Sequence, residues 1–122
     1  MYDRILLPTD GSEGAEKAVE HALSLAEKYD AELHVLNVVD VRSQSTTEMW
    51  TNVLGELEDA GEELTEEIVR KAEEKGIEAK PEVIKGIPSR EIVSHAEEDD
   101  VDLIVMGTHG RTGFDRVLVG SV

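Results

Sequence analysis

The feature that most constrains this chain is an alternation. Four apolar runs too short for helices, Asp3–Leu7, Glu32–Val39, Glu78–Ile84 and Asp102–Met106, are separated by segments whose apolar residues recur at helical spacing. In the first spacer, Ala15, Ala18, Val19, Ala22, Leu25, Ala26 and Tyr29 share one face, which predicts a helix to about Asp30 with Ser12 as its N-cap. In the second, Val53, Leu57, Ala60, Leu64, Ile68 and Ala72 predict an inward face on a helix from about Thr51 to Lys75; Gly55 and Gly61 weaken it locally, and Gly76 ends it. The stretch Asp40–Thr51, with Met49 and Trp50, reads as a loop. The third spacer turns through Gly86-Ile87-Pro88 into a helix with Ile92, Val93 and Ala96 inward. Pro81 has no N–H for a central ladder, so the third run is expected at a sheet edge. Such alternation predicts the α/β class, an open parallel sheet with helices on both faces and right-handed crossovers. Ligands of these sheets sit outside the carboxyl ends of the strands, where the strand order reverses.

The fourth run empties into glycines. Gly107, Gly110 and Gly113 follow it, and Gly120-Ser121 closes the segment. Glycine lets backbone N–H groups approach a ligand with no Cβ in the way, which suits phosphate. The spacing Gly107-x2-Gly110-x9-Gly120-Ser121 is not a P-loop, because Gly-Lys-Ser/Thr is lacking, nor a dinucleotide fingerprint, because no G-x-G-x-x-G opens a helix after the first strand. It closely resembles the nucleotide-binding signature of the ATP-binding branch of the universal stress protein family. Ile5-Leu6-Leu7-Pro8-Thr9-Asp10-Gly11-Ser12, Gly86-Ile87-Pro88-Ser89-Arg90-Glu91-Ile92-Val93 and Asp102-Leu103-Ile104-Val105-Met106-Gly107 are similar to that family too, so the resemblance runs from residue 2 to residue 122.

The resemblance implies a Rossmann-like sheet of strand order 3-2-1-4, with its switch point between the first and fourth strands. The exits there are Pro8-Thr9-Asp10 and Gly107 to Gly113. It implies a site for ATP, or for ADP or AMP. Gly107, Gly110 and Gly113 would give close approach, Thr108, Arg111 and Thr112 would donate to phosphates, and His109 would shape the loop. Gly120-Ser121-Val122 matches the element where phosphates meet a helix start and a hydroxyl. Pro8 and Val38 match positions lining adenine and ribose, with Thr9 beside them. Asp10 matches an acid near the ribose and a bound Mg2+ or Mn2+. Each has a plainer alternative: helix capping for Asp10, strand core for Val38, surface charge for Arg111.

Composition narrows the partners. A chain of 122 residues reads as one domain, 1–122, and its 28 acidic against 12 basic residues give a formal net charge of −16. Nucleic acid would meet a repulsive field, and a nucleotide site must rely on local donors and a divalent cation. Runs such as Glu62-Glu63, Glu66-Glu67 and Glu97-Glu-Asp-Asp100 read as solvated helix faces. Cysteine is lacking, and no apolar run approaches the roughly 18 residues of a membrane span. The expectation is a cytoplasmic protein with no membrane partner. His21, His34, His95 and His109 are read without a His-x3-His or His/acid spacing, so zinc is not expected.

The family pattern continues past Gly-Ser-Val with a helix and a fifth strand, whereas this sequence ends at Val122. The expectation is therefore a C-terminally truncated domain with the fourth strand as an exposed apolar edge, and a homodimer only in the full-length form. Three functions compete. The first is an ATP-binding stress-response regulator with little or no turnover. The second is a slow ATPase or autophosphorylating protein, for which no Walker lysine or general base is found. The third is an interaction module that binds no nucleotide.

Overall fold

The structure is a computed structural model that describes residues 3–10, 13–41, 48–109 and 115–121. Its elements are β1 (Arg4–Pro8), α1 (Glu13–Tyr29), β2 (Glu32–Asp40), α2 (Glu48–Glu74), β3 (Ala79–Gly86), α3 (Pro88–Glu98), β4 (Leu103–His109) and β5 (Asp115–Ser121). The sheet order is β3-β2-β1-β4-β5. The first four strands are parallel in the expected order 3-2-1-4, with β3 and its Pro81 at the edge. Period-two alternation in β2 divides the core: Leu33 and Val35 face α1 and α2, while Leu36 and Val38 face α3. The larger cluster gathers Ile5, Leu7, Ala18, Ala22, Ile68, Ala72 and Val105; the smaller gathers Leu6, Leu36, Ala96 and Val101.

Chain reversals follow local chemistry. Gly76 takes φ +77 behind α2, as a C′ glycine should, and Pro88 opens α3 where its missing N–H costs nothing. Asp102 ties β4 to β1. Its Oδ2 accepts from the backbone N–H groups of Asp3 at 2.8 Å and Arg4 at 3.1 Å, and these two bonds hold the carboxyl below its usual range.

Several expectations are corrected. The loop after β2 is shorter than Asp40–Thr51, because Glu48, Met49 and Trp50 already belong to α2. The inward stripe of α2 is Gly61, Thr65, Ile68, Val69 and Ala72, whereas Ala60 is exposed and Leu57 is 44% exposed. The helix turns this face inward because it runs very close to the sheet: a Cβ added to Gly61 would stand 2.5 Å from Asn37 Oδ1 and 3.3 Å from Val83 Cγ1. Thr65 satisfies its buried hydroxyl by donating to the Gly61 carbonyl at 2.9 Å. Of the three α3 residues expected inward, Val93 is 54% exposed, whereas Ile92 and Ala96 turn inward. Nor is β4 a bare edge. Antiparallel β5 covers it from Leu103↔Ser121 to His109↔Asp115, in a segment whose Val117-Leu118-Val119 favours extended backbone. β4 also runs to His109, so Gly107, Thr108 and His109 are strand and not loop. Ser12 lies outside the described residues.

Candidate nucleotide site

At the carboxyl ends of β1 and β4, where the strand order reverses, Pro8, Thr9, Asp10, Leu36, Val38, Met106 and Gly107 converge with Ala15 of α1 and Pro88 and Ile92 of α3 around a cavity of about 160 Å³. Backbone bonds fix the β1 exit. The Thr9 N–H donates to the Leu36 carbonyl at 2.9 Å, and Asn37 Nδ2 donates to the Thr9 carbonyl at 2.8 Å. Thr9 is thereby buried, while Asp10 stands exposed at the rim. The walls are largely apolar, as a base or sugar requires. The first turns of α1 and α3 contribute to them and bring the positive ends of two helix dipoles into a very acidic protein. A larger cavity of about 380 Å³ between α1 and α2 is lined by Glu16, Glu20 and Glu67 against one lysine, Lys71, so its net charge opposes an anionic ligand.

Of the residues singled out from sequence, Pro8, Thr9, Asp10, Val38 and Gly107 come together here. Thr108 and His109 continue β4 just beyond, opposite Arg116 and Asp115. Gly110, Arg111, Thr112, Gly113 and Val122 lie outside the described residues. Gly120 and Ser121 are not brought to the cavity: their register opposite Ile104 and Leu103 sets them at the start of β4, the other end of the sheet. Sequence reasoning missed Asn37, Met106 and Ile92. The last two carried a signal, since Met106 precedes the first glycine and Ile92 follows Pro88 by one helical turn; Asn37 carried none.

It missed a second polar cluster as well. On the α3 face, at the amino ends of the strands, His34 of β2 and His95 of α3 meet Asp99 at the end of that helix. His95-x3-Asp99 was the available signal. Glu32, in the same cluster, is held below the usual carboxylate range chiefly by the Lys80 ammonium 3.0 Å away, and the same pairing raises Lys80.

A mostly parallel sheet with an apolar cavity at its switch point defines a doubly wound α/β ligand-binding domain. The chain belongs to the universal stress protein family, whose model it matches over residues 1–122. It is 39% identical over 125 residues to the universal stress protein MJ0531 of Methanocaldococcus jannaschii, covering all of this chain and 74% of that relative. The solved structure of MJ0577 is similar at a TM-score of 0.81 and 36% identity, over 93% of this chain and 80% of that one; MJ0577 is also a universal stress protein of M. jannaschii. A universal stress protein family structure from Arabidopsis thaliana, solved with AMP bound, shares the fold at a TM-score of 0.69 and 17% identity over 89% of this chain and 78% of that one. Among the described residues no helix is long and apolar enough to cross a membrane.

Proposed function

We propose that this domain is a stress-response regulator that binds an adenine nucleotide, ATP or its products ADP and AMP, at the switch point of β1 and β4 and holds it with little turnover. The observation that carries the reading is the convergence of Pro8, Thr9, Asp10, Val38 and Gly107 on one cavity. Its volume, about 160 Å³, is below the roughly 300–1,000 Å³ of complete small-molecule sites, which suits adenine and ribose with the phosphates outside the described walls. On this reading the phosphates extend toward Thr108 and His109 and toward the glycine-rich sequence 110–113, and the AMP held by the Arabidopsis fold neighbour is a ligand of the same chemistry. Gly120 and Ser121 would contribute only if their strand left its place beside β4.

Asp10 fits a Mg2+ or Mn2+ ion. One exposed carboxylate at the rim, joined by phosphate oxygens, is the donor set that Mg2+ favours, and the ion would neutralise phosphate charge in a chain of −16. Retention over turnover is the reading adopted because the sequence carries no Gly-Lys-Ser/Thr to place a lysine on the phosphates. The homodimer of the full-length form belongs to the proposal, and light scattering tests it.

Calorimetric titration with ATP, ADP and AMP in high salt, with and without Mg2+, tests the binding. Saturable one-to-one binding is expected, and Asp10→Asn should remove its Mg2+ dependence while leaving AMP binding near wild type. Heats that never saturate for any of the three nucleotides overturn the reading and leave the interaction module in its place.

A further inference from the structure

The cluster at the far end of α3 is independent of the nucleotide reading. His95 Nε2 lies 2.9 Å from Asp99 Oδ2 and 2.9 Å from Glu82 Oε2, and His34 Nδ1 lies 3.6 Å from the same Asp99 oxygen. One donor atom from each of His34, His95 and Asp99 falls within a span of 4.8 Å. A neutral imidazole nitrogen carries at most one proton, so His95 Nε2 cannot bond fully to two carboxylate oxygens at once. Used as a lone-pair donor to a shared cation, it has no such conflict. A tetrahedral ion with bonds of about 2.0–2.1 Å separates its ligand atoms by roughly 3.3 Å, a value that the observed 2.9 and 3.6 Å bracket.

The surroundings agree. His34 and His95 side chains are only 15% and 13% exposed, while Glu82 is half exposed and leaves a path for entry. Behind His34, its Nε2 lies 3.2 Å from Glu32 Oε1; both atoms are sealed from solvent, and the His34 nitrogen completes no hydrogen bond. With His34 ligating through Nδ1, the outward Nε2–H would turn to Glu32, giving the carboxylate–histidine–metal arrangement that fixes tautomer and ring. Lys80 supports Glu32 from the adjacent strand. Two neutral imidazoles and the Asp99 carboxylate, with the Glu82 carboxylate nearby, offset a divalent charge, and the mixed nitrogen and oxygen set without thiolate suits borderline ions over Mg2+ or Ca2+.

We propose that His34, His95 and Asp99 form a three-residue binding site for a divalent transition ion of the zinc class, its fourth position left to water, that ties the end of α3 to β2. The test uses the full chain stripped of metal by a chelator and titrated with Co2+, followed by its visible absorption and then by displacement with Zn2+. The expected result is one Co2+ per chain with the intense spectrum of tetrahedral coordination, displaced by one equivalent of Zn2+ and indifferent to excess Mg2+, which occupies the acidic surface.

His34→Gln and His95→Gln should each weaken Co2+ binding at least about 100-fold, and Glu32→Gln, acting through His34, about 10–100-fold. Glu66→Gln, on the exposed face of α2, should leave binding unchanged. A wild-type chain that gives only the weak spectrum of octahedral Co2+, or never saturates, overturns the proposal. So does His95→Gln binding as tightly as wild type, and this variant decides the matter should His34→Gln fail to fold by circular dichroism.

Discussion

Two glycines six residues apart in α2 make opposite predictions when each is changed to alanine. In a helix interior, glycine is less favourable than alanine by about 1 kcal/mol. Gly55 has nothing within 4 Å of an added Cβ, so Gly55→Ala should stabilise the protein by about that amount. At Gly61 the same Cβ meets Asn37 Oδ1 at 2.5 Å and Asn37 Cγ at 3.1 Å. Asn37 cannot swing aside freely, because its Nδ2 donates to the Thr9 carbonyl at 2.8 Å. Rotation would lose a bond worth about 0.5–1.5 kcal/mol, and withdrawal of α2 from the sheet would cost about 1–3 kcal/mol of overpacking. Gly61→Ala should therefore lie about 0.5–1.5 kcal/mol below Gly55→Ala, the cost of the cheaper adjustment, since the helical gain is common to both. Urea unfolding in high salt measures this, with m-values unchanged. Asn37→Ala provides the cycle: in its background the penalty at position 61 should shrink by at least about 0.5 kcal/mol, because the clashing atom is gone. Should Gly61→Ala gain as much stability as Gly55→Ala, the close approach of α2 to β2 is refuted.

Three further outcomes follow from the same geometry. Asp102 is held below the usual range by the Asp3 and Arg4 N–H groups, so its stabilisation is complete above the unfolded value of about 3.9 and lost as pH falls through the lower folded value. Urea midpoints across that window should fall less steeply for Asp102→Asn than for wild type; parallel curves would contradict the clamp. A net charge of −16 repels itself in the compact state, so the melting temperature should rise as salt shortens the Debye length from about 30 Å at 0.01 M to about 3 Å at 1 M, and a flat response would remove this penalty from the account. Val38→Phe projects into the cavity and should weaken AMP binding at least tenfold, about 1.4 kcal/mol, while shifting folding stability by less than about 1.5 kcal/mol; undiminished affinity would move the ligand elsewhere.

How much was legible in the sequence depends on how local the cause was. Gly76 behind α2, Pro88 at the start of α3 and Pro81 on an edge act within a residue or two of themselves, and each stands where its chemistry requires. The parallel order rests on alternation, a signal carried by every element. Which face of α2 turns inward is a different matter. Counting apolar residues favours Leu57 and Ala60, yet the close approach of helix to sheet is met at Gly61, against Asn37 of β2 and Val83 of β3. Val117-Leu118-Val119 is equally opaque, because pairing with β4 depends on a partner reached through space. Of the candidate site, Pro8, Thr9, Asp10, Val38 and Gly107 were legible through strand exits and family motifs. His34 was not, since its proximity to Asp99 exists only after α3 has crossed the sheet.

The central claim, a nucleotide held where β1 and β4 diverge, is tested most directly by mapping amide chemical shifts of the isotope-labelled chain during titration with AMP. The account predicts saturable shifts concentrated at Thr9, Asp10, Leu36 to Val38 and Met106 to Gly107, with Glu20, Leu23 and Lys71 unmoved. Shifts confined to those last three residues, around the cavity between α1 and α2, would contradict it.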